Sequence, residues 1–284
     1  MPFKLYFGPA GKPVGFRGTV AEAIEYLAKM GLDAMEVQQV RGFTISVEQA
    51  KVIREVSQQH KFILSMHAPY AINLSSDKAE TIEKSKERLL KAVELAHIMG
   101  ASPVVLHPGY YGKKEKDKAL KLVIDGLKEV VEKMKSKKIS VKIGIETTGK
   151  TSQVGSVDEV IQIVREVPMT VPVIDFAHIH ARTGGTIKTH DDYLNVIRRI
   201  ENELGTEYVK HLHIHFSEIE FGLKGEKRHL PLGSGVGPKF EILAELLIDL
   251  GYEAVIICET PLLEKDAIKM KKIALEIFNK KKKN

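Results

Sequence analysis

The sequence holds a single cysteine, Cys258, among 284 residues. One cysteine excludes an internal disulfide and any metal site built from paired thiolates, so a bound metal would have to be held by His, Asp and Glu. Cys258 lies in the apolar run AVIICET and reads as a core residue in a reducing compartment. Also missing is any uninterrupted apolar run near the roughly 18 to 20 residues that cross a bilayer, so no membrane span is expected. The opening MPFKLYFGPAG lacks the basic start, apolar stretch and cleavage site of a secretory leader, which makes the cytoplasm the expected location. Tryptophan is absent, and so is a strong excess of either charge: 43 Lys and Arg stand against 37 Asp and Glu, a net +6. Lys280 to Lys283 supply four of these, and without them 39 stand against 37, an excess of +2. Basicity alone therefore argues only weakly for nucleic acid, and residues 280–284 read as a solvated tail behind one domain of residues 1–279.

What is present is a repeated alternation. Short β-branched runs with period two predict strands at Lys4 to Phe7, Ala34 to Gln38, Phe62 to His67, Pro103 to His107 and Val141 to Glu146. Three more follow at Val173 to Asp175, Val209 to His215 and Ala254 to Glu259. Between them, apolar residues three and four apart predict helices over Val20 to Met30, Val47 to His60, Lys78 to Met99, Lys116 to Lys137, Val157 to Glu166, Asp191 to Leu204, Phe240 to Leu250 and Glu264 to Phe278. Gly31, Gly100, Gly205 and Gly251 fall just past helix ends, where a left-handed cap favours glycine. Strict alternation of strand and helix needs a parallel sheet, and eight repeats close most economically into a single-domain (β/α)8 TIM barrel. An open doubly wound sheet is the alternative.

In such a barrel the active site is built where strands meet their following loops. Strands three to eight end at His67, His107, Glu146, Asp175, His215 and Glu259, with His178 just beyond Asp175. Any one of these is more commonly a hydrogen-bonded or capping residue than a ligand. Together they would crowd carboxylates and imidazoles around one mouth, where the acids repel unless a cation is bound. The donor types suit zinc or manganese. Asp175 and His178 lie three residues apart, on opposite faces of a straight strand, so the backbone must turn between them.

Other histidines read differently. His211 and His213 share a face with His215 but lie deeper, as interior packing or polar fill; His60, His97 and His190 read as structural or solvent-facing. His180 either partners the site or points to solvent. After strand seven, FSEIEFGLKGEKRHLPLGSGVGP reads as a long functional loop that carries His229. Its Gly233, Gly235 and Gly237, with the helix that follows, could offer free N–H groups to an anion.

These segments resemble one family, endonuclease IV, the metal-dependent apurinic/apyrimidinic endonucleases of the xylose-isomerase-like TIM barrels. The resemblance runs from the first helix to Glu259. It is carried by HAPYAINL at His67, LHPGYY at His107, GIETTG at Glu146, VIDFAHIHARTGG at Asp175, HIHFSE at His215, RHLPLGSGVG at His229 and CETP at Glu259. It implies that His67, His107 and Glu146 hold one metal, that Glu146 bridges to a second held with Asp175, His215 and Glu259, and that His178 and His229 bind a third. Two to three zinc ions are then expected, with manganese possible as a substitute and no organic cofactor.

The implied reaction is base-excision repair: a metal-bridging hydroxide attacks the phosphate 5′ to an abasic site in double-stranded DNA. By the same resemblance Tyr70, and less directly Arg41 in QQVRGF, enter the minor groove and hold the lesion open; unstacking costs least where a base is already missing. A monomer is expected. The chain also departs from the pattern. Where the family pairs its loop histidine with an aspartate two residues earlier, this sequence has Lys227, with Glu226 one further back. A charged lysine cannot ligate a cation, so either Glu226 serves or the third site is weaker or differently made. Ser217-Glu218 replaces an Asn-Asp, Phe176-Ala177 replaces a Thr-Cys, and a histidine of the first strand is lost near Pro9. The rival reading is a sugar isomerase or epimerase of the same barrels, which would need one or two ions and no minor-groove wedge. A DNA-binding protein with a degenerate site is the third.

Overall fold

The computed structural model describes residues 2–283, so Asn284, the end of the expected tail, lies outside the described residues. The chain opens with β1 (Leu5–Pro9), α1 (Val20–Lys29), β2 (Ala34–Gln38), α2 (Val47–Gln59), β3 (Ile63–His67) and α3 (Ala79–Met99). It continues through β4 (Val104–Leu106), β5 (Gly109–Tyr110), α4 (Lys116–Ser136), β6 (Ile143–Glu146), β7 (Gln153–Val154), α5 (Val157–Glu166) and β8 (Thr170–Asp175). Then come α6 (Phe176–Arg182), α7 (His190–Leu204), β9 (His211–Phe216), β10 (Glu218–Gly222), β11 (Gly225–Leu230), α8 (Phe240–Leu250), β12 (Glu253–Cys258) and α9 (Glu264–Lys283). Eight strands form one sheet in the order β1-β12-β9-β8-β6-β4-β3-β2 and alternate with helices along the chain, which is the expected (β/α)8 TIM barrel.

The helix starts are encoded locally. Thr19, Ser46, Ser156 and Thr189 cap α1, α2, α5 and α7, and in each case the side chain three residues on bonds back to the cap N–H. Each such cap is worth about 1 kcal/mol. At the other end, Gly100 and Gly251 hold the left-handed caps of α3 and α8.

The chain divides into two compact units. The first comprises Met1–Met35, Gly149–Thr151 and Ile174–Asn284; the second comprises Glu36–Thr148 and Ser152–Val173. In the first, β1 pairs in parallel with β12 from Leu5 opposite Ala254 to Pro9 opposite Cys258, and β12 with β9 from Glu253 opposite His211 to Cys258 opposite Phe216. The Asp33 N–H donates to the Phe7 carbonyl at 2.9 Å. Gly8 comes so near the start of β2 that a Cβ would lie 1.7 Å from the Ala34 carbonyl oxygen, so the approach requires glycine. In the second unit β3 pairs with β4, β4 with β6 and β6 with β8, all in parallel. Val104, Val105, Leu106, Ile143 and Ile145 are wholly buried, as strands covered on both faces must be.

Several features differ from the sequence pattern. The stretch after β9 is no irregular loop: β10 and β11 pair as an antiparallel hairpin whose Leu223 and Lys224 turn between Gly222 and Gly225. Ile219 of β10 is buried with Ala177 and Ala181 of α6, and this apolar anchor makes the hairpin. Short α6 follows β8 directly, where no helix was expected, because the Asp175 side chain caps it. His107 and Glu259 stand one residue past their strands. The terminal lysines through Lys283 continue α9, and Lys281 reaches Asp249 at 2.7 Å. Among the described residues no helix is long and apolar enough to cross a membrane.

Candidate functional site

In the second unit the register sets Leu106 opposite Ile145 and Glu146 opposite Val173, so His67, His107 and Glu146 leave their strands at one end. His107 Nε2 lies 3.0 Å and His67 Nε2 3.3 Å from the same oxygen, Glu146 Oε2. His67 Nδ1 is 2.8 Å from the Ala68 carbonyl oxygen, which leaves Nδ1 as donor and turns Nε2 to Glu146. Burial opposes a charge on His67, but Glu146, with Glu36 behind it, outweighs this and holds the imidazole above its ordinary value. The pair thus calls for a positive charge between its atoms, and a divalent ion supplies one as a proton does. The ligand atoms of all three residues lie within 4.8 Å of one another, hard oxygen and imidazole donors that fit zinc or manganese.

The first unit gathers the remaining donors. Asp175 closes β8 and its Oδ1 accepts the His178 N–H at 2.7 Å, so the residue that ends the strand also starts α6. This is the turn that the spacing of Asp175 and His178 demands. Asp175, His215 and Glu259 bring ligand atoms within 4.8 Å of one another, with His215 Nδ1 3.2 Å from Glu259 Oε1. His178, His229 and Glu259 form a further group within the same limit. Glu226 stands with them, Oε2 3.6 Å from His178 Nε2 and Oε1 3.9 Å from His229 Nε2. Lys227 points away, its Nζ 3.5 Å from Glu220. The alternation of β11 explains this: Glu226 and Lys227 face opposite sides of the hairpin.

Tyr70 follows β3 and is 55% exposed, yet its ring stacks on that of His107 and meets His67 edge-on. Arg41 is exposed beside Gly42 and Phe43 in the loop after β2. Several neighbours are not singled out as site residues by the sequence pattern. The buried Ser217 hydroxyl lies 2.7 Å from His229 Nδ1 and orients that ring. Gly149 leaves room for the donors: a Cβ there would come within 2.7 Å of the Glu226 Cβ and 2.9 Å of the His178 ring. Glu36, wholly buried in β2 and hydrogen-bonded by Ser65 at 2.9 Å, is an acid in the middle of the apolar strand AMEVQ, a signal that could have drawn notice.

Two expectations are corrected. The glycine-rich segment does not offer its N–H groups to an outside anion. Gly233, Val236 and Gly237 donate them to the Glu218 carboxylate at 2.6, 3.0 and 3.2 Å, and the Ser234 hydroxyl adds a fourth bond. Burial works against the charge on Glu218, but these donors prevail and hold its carboxyl below the ordinary range. His211 is not interior: it is exposed and paired with Glu253 at 3.3 Å, whereas His213 is buried. His180 is buried too, its Nδ1 3.0 Å from the Ile187 carbonyl oxygen, and burial keeps it below its ordinary value. His60, His97 and His190 are exposed.

A family model described as xylose isomerase-like TIM barrel matches residues 24–277. The chain is 35% identical over 273 residues to an "Uncharacterized protein" of Methanocaldococcus jannaschii, covering 96% of this chain and 98% of that one. It is 33% identical over 174 residues to "Probable endonuclease 4" of Staphylococcus carnosus, a match that spans 60% of this chain and 57% of that relative's length. The protein of the same name from Ureaplasma urealyticum is 29% identical over 78% of this chain and 73% of its own. Among solved structures, a D-tagatose 3-epimerase-like protein superposes with a TM-score of 0.76 at 23% identity, covering 98% of this chain and 99% of that one. Endonuclease IV from Thermus thermophilus gives 0.73 at 20%, covering 98% and 100%. At these identities the structural likeness speaks for the fold.

Proposed function

This chain belongs to the family of xylose isomerase-like TIM barrels, and from that premise we propose that it is a metal-dependent endonuclease that cuts DNA on the 5′ side of abasic sites. The observation that carries the reading is the pair formed by a donor set and an exposed ring: His67, His107 and Glu146 converge within 4.8 Å, and Tyr70 lies stacked on His107 at their edge. The similarity to proteins named endonuclease 4 supports it.

Bound divalent ions would supply hydroxide at neutral pH and neutralise charge on the attacking and leaving oxygens of an in-line displacement at phosphorus. Zinc suits the donors first and manganese second. The chain's own residues would do the rest. His67, His107 and Glu146 hold one ion; Asp175, His215 and Glu259 contribute to a second; and His178 and His229, with Glu226 in place of the family's aspartate, to a third. Ser217 fixes the His229 ring. Tyr70 replaces the missing base in the stack and keeps the abasic sugar turned toward the donors, with Arg41 entering beside it. The enzyme would act in the cytoplasm as a monomer.

The test is incision of a duplex carrying one synthetic abasic site, with and without chelator, alongside metal content per chain. Chelator-sensitive cutting 5′ to the lesion with two to three ions bound is the expected result. No cutting with about one ion bound would move the search to isomerisation or epimerisation of sugars.

A further inference from the structure

We propose that the groove between the Arg41–Phe43 loop and α3 seats backbone phosphates of duplex DNA, gripped by Arg88 and Lys91, while Arg41 at its edge keeps the minor-groove role given above. The proposal rests on the reading of the protein as an enzyme of DNA and deepens it. The groove, about 660 Å³, belongs to the second unit. Its floor is apolar, built from Val40, Phe43, Pro69 and Ala71, and its rim carries Arg41, Arg88 and Lys91 with one acid, Glu87. Pro69 and Ala71 flank Tyr70 in the sequence, so the groove begins at the loop that holds the exposed ring.

The charges on the rim are what single it out. Elsewhere on α3 the cations are neutralised: Lys84 by Glu80 at 2.5 Å, and the buried Lys86 by Glu83 and Glu129 at 2.5 and 2.6 Å. Arg41, Arg88 and Lys91 make no ion pair or hydrogen bond with any described residue. Lys91 instead lies over the Phe43 ring, 4.8 Å from its centroid, a contact that holds the ammonium at the groove while its hydrogen-bonding capacity stays open. Three like charges around a low-dielectric floor repel one another, and an anion between them relieves that cost. A phosphodiester matches the chemistry: its anionic oxygens accept the planar fork of an arginine, and the deoxyribose between successive phosphates can rest on an apolar floor.

The experiment is a salt titration of binding to a short undamaged duplex by the metal-loaded full chain, comparing wild type, Arg88→Ala/Lys91→Ala and the charge-conserving Arg88→Lys/Lys91→Arg. Incision of an abasic duplex is followed in parallel, and isothermal titration with ribose 5-phosphate forms a further arm. Each phosphate contact contributes about 0.9 to the slope of log affinity against log salt, so the alanine pair should lower the slope by roughly 2 while the charge-conserving pair keeps it. An unchanged slope in an alanine pair that still folds, with wild type binding and incising, overturns the groove and leaves the endonuclease reading standing. Wild type that neither binds duplex nor incises overturns both. Loss of affinity for ribose 5-phosphate with no loss for duplex assigns the groove to a free sugar phosphate and overturns its assignment to DNA.

Discussion

The phenol ring of Tyr70 lies on the imidazole of His107, ring centroids 5.6 Å apart and planes 26° from parallel. An aromatic side chain that is 55% exposed gains little from burial at that place, so the geometry is better explained by what the ring can receive. On the endonuclease reading it receives the nucleotide stack interrupted by the lesion. Tyr70→Ala should weaken binding to abasic duplex by about 1–3 kcal/mol, the scale of one base-aromatic stack, with metal content unchanged. Tyr70→Phe should retain most of the affinity. Fluorescence anisotropy measures both, and equal affinity for wild type and alanine variant would make Tyr70 an ordinary loop tyrosine.

Glu146 is 0% exposed and faces two imidazoles through one oxygen. Glu146→Gln keeps the shape and removes the charge. Turnover should fall by more than the roughly 10- to 100-fold that follows loss of a group that merely orients a ligand. The fold should persist by circular dichroism while metal per chain drops. A rate near wild type would exclude Glu146 from the ligands.

Glu226 and Lys227 are adjacent, and only the carboxylate faces His178 and His229. Glu226→Gln should lose the most weakly held ion, whereas Lys227→Ala should leave metal content as it is. Elemental analysis after dialysis against a mild chelator distinguishes them. The opposite ranking would show that the family's missing aspartate is not replaced by its neighbour.

Glu218 gathers four donors from the glycine-rich segment, and its carboxyl is held below the ordinary range. A depressed folded value means that the stabilisation is full above the unfolded carboxylate range and is lost as pH falls through the folded value. Amide protection factors at residues 233–237, taken against the intrinsic exchange rate at each pH, should therefore fall on acidification through and below that range. Glu218→Gln should remove this pH dependence and cost roughly 1.5–3 kcal/mol, the scale of a hydrogen bond to a charged group. Protection that does not respond to pH in wild type would contradict the assignment.

The sequence by itself determined the alternation of strands and helices, their caps and the ends at which donors cluster. Each of these follows from local patterns: period two for strands, three to four for helices, Ser or Thr with an acid or amide three residues on for caps. His67, Glu146 and Asp175 were legible because each ends an apolar run, and a polar residue at that place is conspicuous without knowledge of any partner. Tertiary structure decided who meets whom. That His67 and His107 converge on one oxygen of Glu146 depends on the stagger between β3, β4 and β6, which no single segment encodes. The stretch after β9 read as a loop because its hairpin is held by Ile219 against α6, a short helix that Asp175 caps and whose side chains are largely buried. Its glycines suggested a cradle for an outside anion, yet the anion is Glu218 of the same chain, delivered by that hairpin. In each case the deciding contact joins residues far enough apart in sequence that register and packing, rather than local propensity, set the distance between them.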